Sequence, residues 1–149
     1  MAALKPTDQN YAERVRQSFA AQGVMAFIGA ELAELRPGYC EIQLRFRPEL
    51  SQQDGFFHAG IVSTIADSAG GYAGYTLMPA DSRVLTVEYK MNLLAPAHGE
   101  NLIARGQVIR NGRTLVITKA DVGVVRNGTE TPCATLLQTL INLAPTPRG

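Results

Sequence analysis

Histidine, cysteine and tryptophan are scarce in this chain of 149 residues, which contains two histidines, two cysteines and no tryptophan. His58 and His98 form no HExxH motif and no other paired-ligand spacing, so the sequence predicts no metal site. Cys40 and Cys133 are isolated, and one pair could not provide a disulfide framework for a chain of this length. Both are interpreted as small buried hydrophobic residues.

An excess of charge of one sign is also lacking, because the formal net charge is +1 and no run of Lys or Arg occurs. Proteins that bind a phosphate backbone need such a basic excess, so nucleic acid is not an expected partner. The first ten residues include Lys5, Pro6 and Asp8 where a secretory signal would need an apolar core. No stretch approaches the roughly 20 apolar residues of a membrane span. We therefore expect a cytoplasmic protein with no membrane partner.

The composition that remains, 46% hydrophobic and 18% charged residues, is typical of a globular protein. The length predicts one domain, residues 1–149. An amphipathic pattern predicts a short N-terminal helix over about residues 9–22, with Val15 and Phe19 on its apolar side and Gly23 as a stop signal.

The segment 58–77 differs from its surroundings because apolar and small residues occur on every side of the predicted helix. Asp67 is the only acidic or basic side chain between His58 and Pro79. A helix of this kind must be wrapped by other elements. Its small residues predict that its backbone lies close to a covering sheet, and they are Ala59, Gly60, Ala66, Ala69, Gly70, Gly71, Ala73 and Gly74.

Strands are predicted on both sides of this helix. Alternating residues over 39–46 indicate one half-buried strand, and several strands over about 83–143 follow the helix. Asn111-Gly112 and Asn127-Gly128 predict tight hairpins between the later strands. The pattern favours an α+β fold with an antiparallel sheet. Residues 145–149 are predicted to form a frayed tail.

One helix start and one carboxylate are the candidates for chemistry. A helix that begins just after His58 presents free backbone N–H groups and the positive end of its dipole, which can stabilise an oxyanion. Asp67 follows at 67 − 58 = 9 positions, which is about 13 Å of helix rise. One chain therefore cannot bring both groups to one atom, and a site shared by two chains is predicted.

Structural interpretations of the same residues remain open. Asp67 could serve only as a hydrogen-bond partner, and His58 could be an ordinary helix-start residue. Ala66-Asp67-Ser68-Ala69-Gly70 loosely resembles the nucleophile elbow of a serine hydrolase, but no strand precedes it and only His98 follows in the required order.

The string from His58 to Ala73, HAGIVSTIADSAGGYA, resembles the HGG-to-Asp signature of hotdog-fold acyl-CoA thioesterases of the phenylacetate-degradation type. The likeness extends from Leu50 to Leu143. It implies a hotdog fold, in which a curved antiparallel sheet wraps one long central helix, with assembly into dimers or homotetramers. It also implies hydrolysis of acyl-CoA to free acid and coenzyme A. Coenzyme A is then part of the substrate, and no separate cofactor is needed.

The resemblance assigns roles residue by residue. Asp67 falls on the catalytic general base or nucleophile, Ala59 and Gly60 on the oxyanion-binding backbone that follows His58, and Thr86 on a helper hydroxyl. Gln52, with Gln53 as the alternative, falls on the residue that orients the water or thioester. The sequence departs from the signature at Ala59, normally Gly, which changes little because the donor is a backbone N–H.

Contacts to the substrate are less defined by the sequence. An apolar acyl slot is expected beside Phe56, Phe57, Tyr72 and Tyr75, with core packing as the alternative role. The phosphates of coenzyme A need cations, and the candidates, each of which could instead be a solvated surface charge, are Arg83, Lys90, Arg110 and Arg113. A hotdog hydratase or dehydratase and a non-catalytic acyl-CoA binding module are the alternative functions.

Overall fold

The computed structural model of the protein describes residues 4–143, so the predicted tail at 145–149 lies outside the described residues. The described chain forms three α-helices, a one-turn 3₁₀ helix at Pro48–Leu50 and six β-strands. The helices are α1 Tyr11–Ala21, α2 Gly23–Ile28 and α3 Ala59–Tyr75. The strands are β1 Ala30–Arg36, β2 Tyr39–Arg45, β3 Arg83–Leu93, β4 Asn101–Asn111, β5 Leu115–Arg126 and β6 Thr129–Leu143.

The six strands form one antiparallel sheet in the order β1-β2-β4-β5-β6-β3. The central helix α3 packs on one face of this sheet and contacts all six strands. Its inward side chains, among them Val62, Ile65 and Ala69, join the main hydrophobic core. The predicted α+β architecture, with an apolar central helix wrapped by a sheet, is confirmed.

Glycine allows α3 and the sheet to approach closely. A Cβ atom at Gly70 would overlap the side chain of Gln138, and one at Gly74 would lie 2.5 Å from a methyl carbon of Leu140. On the sheet side, a Cβ at Gly106 would overlap the carbonyl of Ala69. The predicted close packing is therefore present at these positions.

Two elements, α2 and β1, were not expected from the sequence. Residues 30–36 read Ala-Glu-Leu-Ala-Glu-Leu-Arg, which by intrinsic propensity favours a helix. Gly29, with a φ of 79°, ends α2 in the left-handed conformation, and the following residues pair with β2 instead. Tertiary pairing at the sheet edge thus overrides local preference.

The two Asn-Gly pairs behave differently. Asn127 and Gly128 have φ values of 51° and 77°, as a type I′ turn requires, and they join β5 to β6 directly. Asn111 instead remains in β4, and residues 112–114 form the connection to β5. The predicted hairpin is present there, but its turn is longer than the Asn-Gly signal indicates.

A β-bulge at Val87 shapes the strand nearest the candidate site. Thr86 pairs with Leu140 and Glu88 with Thr139, so Val87 is the extra residue on β3. Even-numbered residues before the bulge and odd-numbered residues after it therefore lie on the same face of the sheet. The alternation predicted for residues 85–93 is interrupted at this point. Thr86 shares the face of Leu140, the face against α3.

Candidate active site

Asp67 lies in the middle of α3, half-buried, with its carboxylate held on one side. The hydroxyl of Thr86 donates to Oδ1 at 2.7 Å, and the Nε2 of Gln138 donates to the same oxygen at 2.5 Å. Within residues 4–143, the other oxygen, Oδ2, makes no hydrogen bond. The carboxylate is thus fixed through Oδ1 while Oδ2 is free to accept a proton or to attack.

Gln138 and Thr118 are site residues that the sequence analysis missed. Gln138 is 1% exposed on β6, and Thr118 is fully buried on β5 and donates to the Oε1 of Gln138 at 2.9 Å. A signal for both was present. Each is a polar residue at an inward position of an alternating apolar strand, between Leu136 and Leu140 in β6 and between Val116 and Ala120 in β5.

A cleft of about 350 Å³ opens beside Asp67 and is called the Asp67 cleft below. The N-terminal helix forms one wall, because Ser18 lies 3.3 Å from the hydroxyl of Tyr72 and Gln22 donates to that hydroxyl at 3.3 Å. Burial raises the pKa of the Tyr72 hydroxyl. The residues that line this cleft are Ser18, Gln22, Asp67, Ser68, Gly71, Tyr72, Val84, Leu85 and Thr86.

The start of α3 is capped by His58. Its Nδ1 accepts a hydrogen bond of 2.8 Å from the N–H of Gly60, and its carbonyl accepts from Ile61 and Val62. The Gly60 N–H, one of the two predicted oxyanion donors, is therefore occupied by the His58 ring. In the described part of the chain the Ala59 N–H has no partner, which leaves it as the free donor at the helix start.

The loop before α3 holds the predicted glutamines. The Oε1 of Gln52 accepts from the backbone N–H groups of Asp54 and Phe56, so this side chain closes the loop on itself. Gln53 is exposed, and its amide lies at 3.5 Å from the carboxylate of Asp54. Gln52 thus lies next to the helix start with its side chain bonded within the loop, while the side chain of Gln53 is exposed.

A second cleft, of about 400 Å³, adjoins the helix start and is called the Ala59 cleft below. Burial raises the pKa of the Cys133 thiol in its wall to about 11, so this cysteine is protonated at neutral pH and is no nucleophile. The lining residues are Gln52, Phe56, Phe57, Ala59, Val62, Leu93, Leu94, Ala95, Pro96, Ala97 and Cys133.

The four aromatic residues of the expected acyl slot are not grouped together. Phe56 and Phe57 line the Ala59 cleft, whereas Tyr72 lines the Asp67 cleft. Tyr75 lines neither cleft. The guanidinium carbon of Arg14 lies over the Tyr75 ring, 4.1 Å from the ring centroid. One chain therefore does not bring all four rings to one slot, because the two clefts open at different positions along α3.

The four predicted phosphate-binding cations lie in different parts of the fold. Lys90 pairs in register with Leu137, and Arg110 with Ile117, on the sheet face turned away from α3. Arg113 lies in the β4–β5 connection beside Leu77, at the opposite end of α3 from Ala59. Arg83 begins β3, directly before Val84 in the wall of the Asp67 cleft, and is the candidate nearest that carboxylate in sequence.

Other hydrolytic chemistries find no support in the geometry. Ser68 lies within α3, where it is 8% exposed and donates to Gln22, so it is not on the sharp strand-to-helix turn of a nucleophile elbow. Among residues 4–143, no group of three His, Cys, Asp or Glu side chains is arranged to hold a metal ion. In the same part of the chain, no helix has the length and apolar character needed to cross a membrane.

The model of the thioesterase superfamily matches residues 54–131, which include the helix start, Asp67 and Thr86. The chain belongs to the thioesterase superfamily. A thioesterase family protein from Silicibacter pomeroyi, solved by crystallography, is 48% identical, with a TM-score of 0.89, and the match covers 90% of this chain and 98% of that one. A curated Saccharolobus solfataricus protein, named provisionally as an esterase, is 31% identical over 85% of this chain and 82% of its own length.

The hotdog-like fold of this thioesterase-superfamily chain is also shared by more distant structures. The E. coli PaaI protein from the phenylacetic acid degradation operon has a TM-score of 0.80 at 14% identity, over 92% of this chain and 96% of its own. That likeness supports the fold alone. The resemblance to thioesterases of the phenylacetate-degradation type is confirmed at the level of family and fold.

Proposed function

We propose that this thioesterase-superfamily protein hydrolyses acyl-CoA thioesters to a free acid and coenzyme A, with Asp67 as general base or nucleophile. The observation that carries the proposal is the state of the Asp67 carboxylate. Its Oδ1 is held by Thr86 and Gln138, whereas Oδ2 is unpaired among the described residues and the side chain lines an open cleft. An unpaired carboxylate oxygen at an open cleft is in a position to act as a base or as a nucleophile.

The proposed reaction needs few groups. Asp67 Oδ2 either removes a proton from water as that water attacks the thioester carbonyl carbon, or attacks the carbon itself to give an anhydride that water then hydrolyses. The Ala59 N–H stabilises the oxyanion that forms. The C–S bond then breaks, and coenzyme A leaves as a thiolate. A thiol with a pKa near 8.5 leaves without a dedicated general acid.

Two chains are required for this chemistry. Ala59 and Asp67 are 67 − 59 = 8 residues apart on the same helix, which corresponds to about 12 Å of rise. We propose that Ala59 of one chain and Asp67 of another face a single thioester across a two-fold axis, in a dimer or in a tetramer built from dimers.

The edge strand β3 supports this proposed assembly. It is unpaired along one side in the described chain, and its Leu85, Val87 and Tyr89 are 46–57% exposed. Such an apolar edge is a template for pairing with another strand. Because Thr86 on this strand contacts Asp67, edge-to-edge pairing would bring a second chain next to the Asp67 cleft.

A direct test of the proposed function is release of free coenzyme A thiol, measured over short-chain, long-chain and aryl acyl-CoAs. We expect turnover on at least one class, with kcat/KM above about 10⁴ M⁻¹s⁻¹ for the preferred substrate. Tight binding without thiol release would instead identify a non-catalytic acyl-CoA binding module. Hydration of enoyl-CoA without thiol release would identify a hydratase.

Variants at two neighbouring phenylalanines can distinguish a role in substrate binding from a role in core packing. Phe56 is half-buried in the wall of the Ala59 cleft, against the ring of His98. Phe57 also borders this cleft, but it is only 3% exposed and packs edge-on against Phe46 in the core. Phe56→Ala should change the relative kcat/KM of small and large acyl groups about tenfold or more, with little change in Tm. Phe57→Ala, the matched control, should destabilise the fold by about 3 kcal/mol or more.

Measuring kcat/KM on a chain-length and aryl series, together with Tm, checks both expectations. Equal losses on every substrate for Phe56→Ala, accompanied by a fall in Tm like that of Phe57→Ala, would assign both rings to the core.

A further inference from the structure

We propose that Gln138 is a positioning residue for Asp67, and that Thr118 holds the Gln138 amide in the orientation this role requires. The inference rests on the proposed function, because it concerns the same carboxylate. It assigns a task to two buried polar residues that lie behind the reacting group.

The orientation of the Gln138 amide follows from its neighbours. Its Nε2 lies 2.5 Å from Asp67 Oδ1 and 3.2 Å from the Asp67 carbonyl oxygen, two atoms that only accept hydrogen bonds when the carboxylate is ionised. The NH₂ end must therefore face Asp67. The Oε1 end then faces Thr118, whose hydroxyl donates to it at 2.9 Å.

The same amide also organises Thr86. Gln138 Nε2 lies 3.1 Å from the Thr86 hydroxyl oxygen, which leaves the hydroxyl hydrogen directed at Asp67 Oδ1. Both donors therefore converge on one carboxylate oxygen. The bulge at Val87 brings Thr86 onto the face of the sheet where it meets this pair.

Packing leaves the Gln138 side chain little freedom. It is 1% exposed, and the space next to its Oε1 exists only because residue 70 is glycine, since a Cβ there would overlap that oxygen. A buried, fully bonded amide is a rigid support, and hydrogen bonds to charged groups are stronger than those between neutral groups. Gln138 thus fixes Oδ1 and leaves Oδ2 turned to the substrate.

The first test replaces Gln138 by methionine, which has a similar length but no donor. We expect Gln138→Met to lower kcat about tenfold or more, with KM changed less than about threefold, because the carboxylate loses its orientation and not a substrate contact. Thr118→Val should lower kcat in the same direction, and Thr118→Ser, which keeps the hydroxyl, should restore it. Ile42→Val, a core change on β2 away from both clefts, controls for lost stability.

A second test uses protonation. Gln138→Glu has the same shape, but the carboxylate it introduces would, when ionised, face Asp67 without a hydrogen to donate. Lowering the pH protonates this introduced group, and the neutral acid can again donate to Asp67 Oδ1. We therefore expect the kcat of Gln138→Glu, relative to wild type, to rise as the pH falls from 8 to 5.5, while that of Gln138→Met stays flat. Among the described residues, the titratable groups facing this position are Asp67 of α3 and Tyr89, its register partner on β3.

The outcomes separate this inference from the proposed function. If wild-type protein releases thiol and Asp67→Asn does not, but Gln138→Met keeps its full kcat at unchanged Tm, the positioning role is wrong and the proposed function stands. A flat kcat ratio for Gln138→Glu would equally overturn the role. If the wild-type protein releases no thiol from any acyl-CoA, the proposed function itself fails.

Discussion

Replacing Asp67 by asparagine is expected to reduce kcat/KM for the preferred acyl-CoA at least about 100-fold, a loss of about 2.7 kcal/mol of transition-state stabilisation. Asparagine keeps an oxygen where Thr86 and Gln138 donate, so the hydrogen bonds that hold the side chain survive. It cannot act as a base or as a carboxylate nucleophile. Thiol release and Tm, measured on the same preparation, separate the two effects.

The fold should tolerate this change. Asp67 is half-buried and not fully buried, so loss of its charge relieves only part of a desolvation penalty, and Tm is expected to stay within a few degrees of wild type. Asp67→Asn with more than about a tenth of the wild-type kcat/KM would contradict a catalytic carboxylate at this position.

Ala59→Pro is expected to cause the second large loss of activity, because proline removes a backbone N–H and changes little else at this position. Ala59 is the first residue of α3, where proline is well tolerated, and His58 has a ψ of 138°, which suits a residue before proline. We expect kcat to fall about 10²–10³-fold, as is typical when an oxyanion donor is lost, with Tm unchanged or raised.

Ala59→Ser is the matched control, since it changes the side chain and keeps the N–H. It should retain most of the activity. Full activity in Ala59→Pro would show that another group is the oxyanion donor. The Gly60 N–H could take this role only if its hydrogen bond to the His58 ring were broken.

The features that the sequence predicted correctly depend on local signals. An apolar helix with one charge stands out in any sequence, so the bounds of α3 were predicted within a few residues, and Asp67 was recognised as its one charged residue. The Asn127-Gly128 turn was found because its backbone conformation demands those residue types. The helper-hydroxyl role of Thr86 came from family resemblance alone, and no local pattern indicates that its hydroxyl contacts Asp67.

The features that were missed depend on contacts between distant segments. Gln138 lies 71 residues after Asp67, and only the register of β6 shows that the two meet. The capture of the Gly60 N–H by His58 depends on a side-chain rotamer that sequence does not specify. Residues 30–36 form an edge strand only because β2 is there to pair with them.

The central claim, one active site built from two chains, is tested most directly by mixed dimers. A chain carrying Ala59→Pro and a chain carrying Asp67→Ala are each expected to have at most about a hundredth of the wild-type activity in their own dimers. In a mixed dimer one of the two sites regains both intact groups. Co-expression with two different tags allows the mixed species to be purified and its thiol release measured.

We predict about half the wild-type kcat per dimer for this mixed species, because one site in two is intact. The matched control pairs a wild-type chain with a chain carrying both substitutions, which leaves no intact shared site and should be inactive. The opposite pattern, with no recovery in the first mixture and about half activity in the second, would place Ala59 and Asp67 of a single chain in one site and contradict the account.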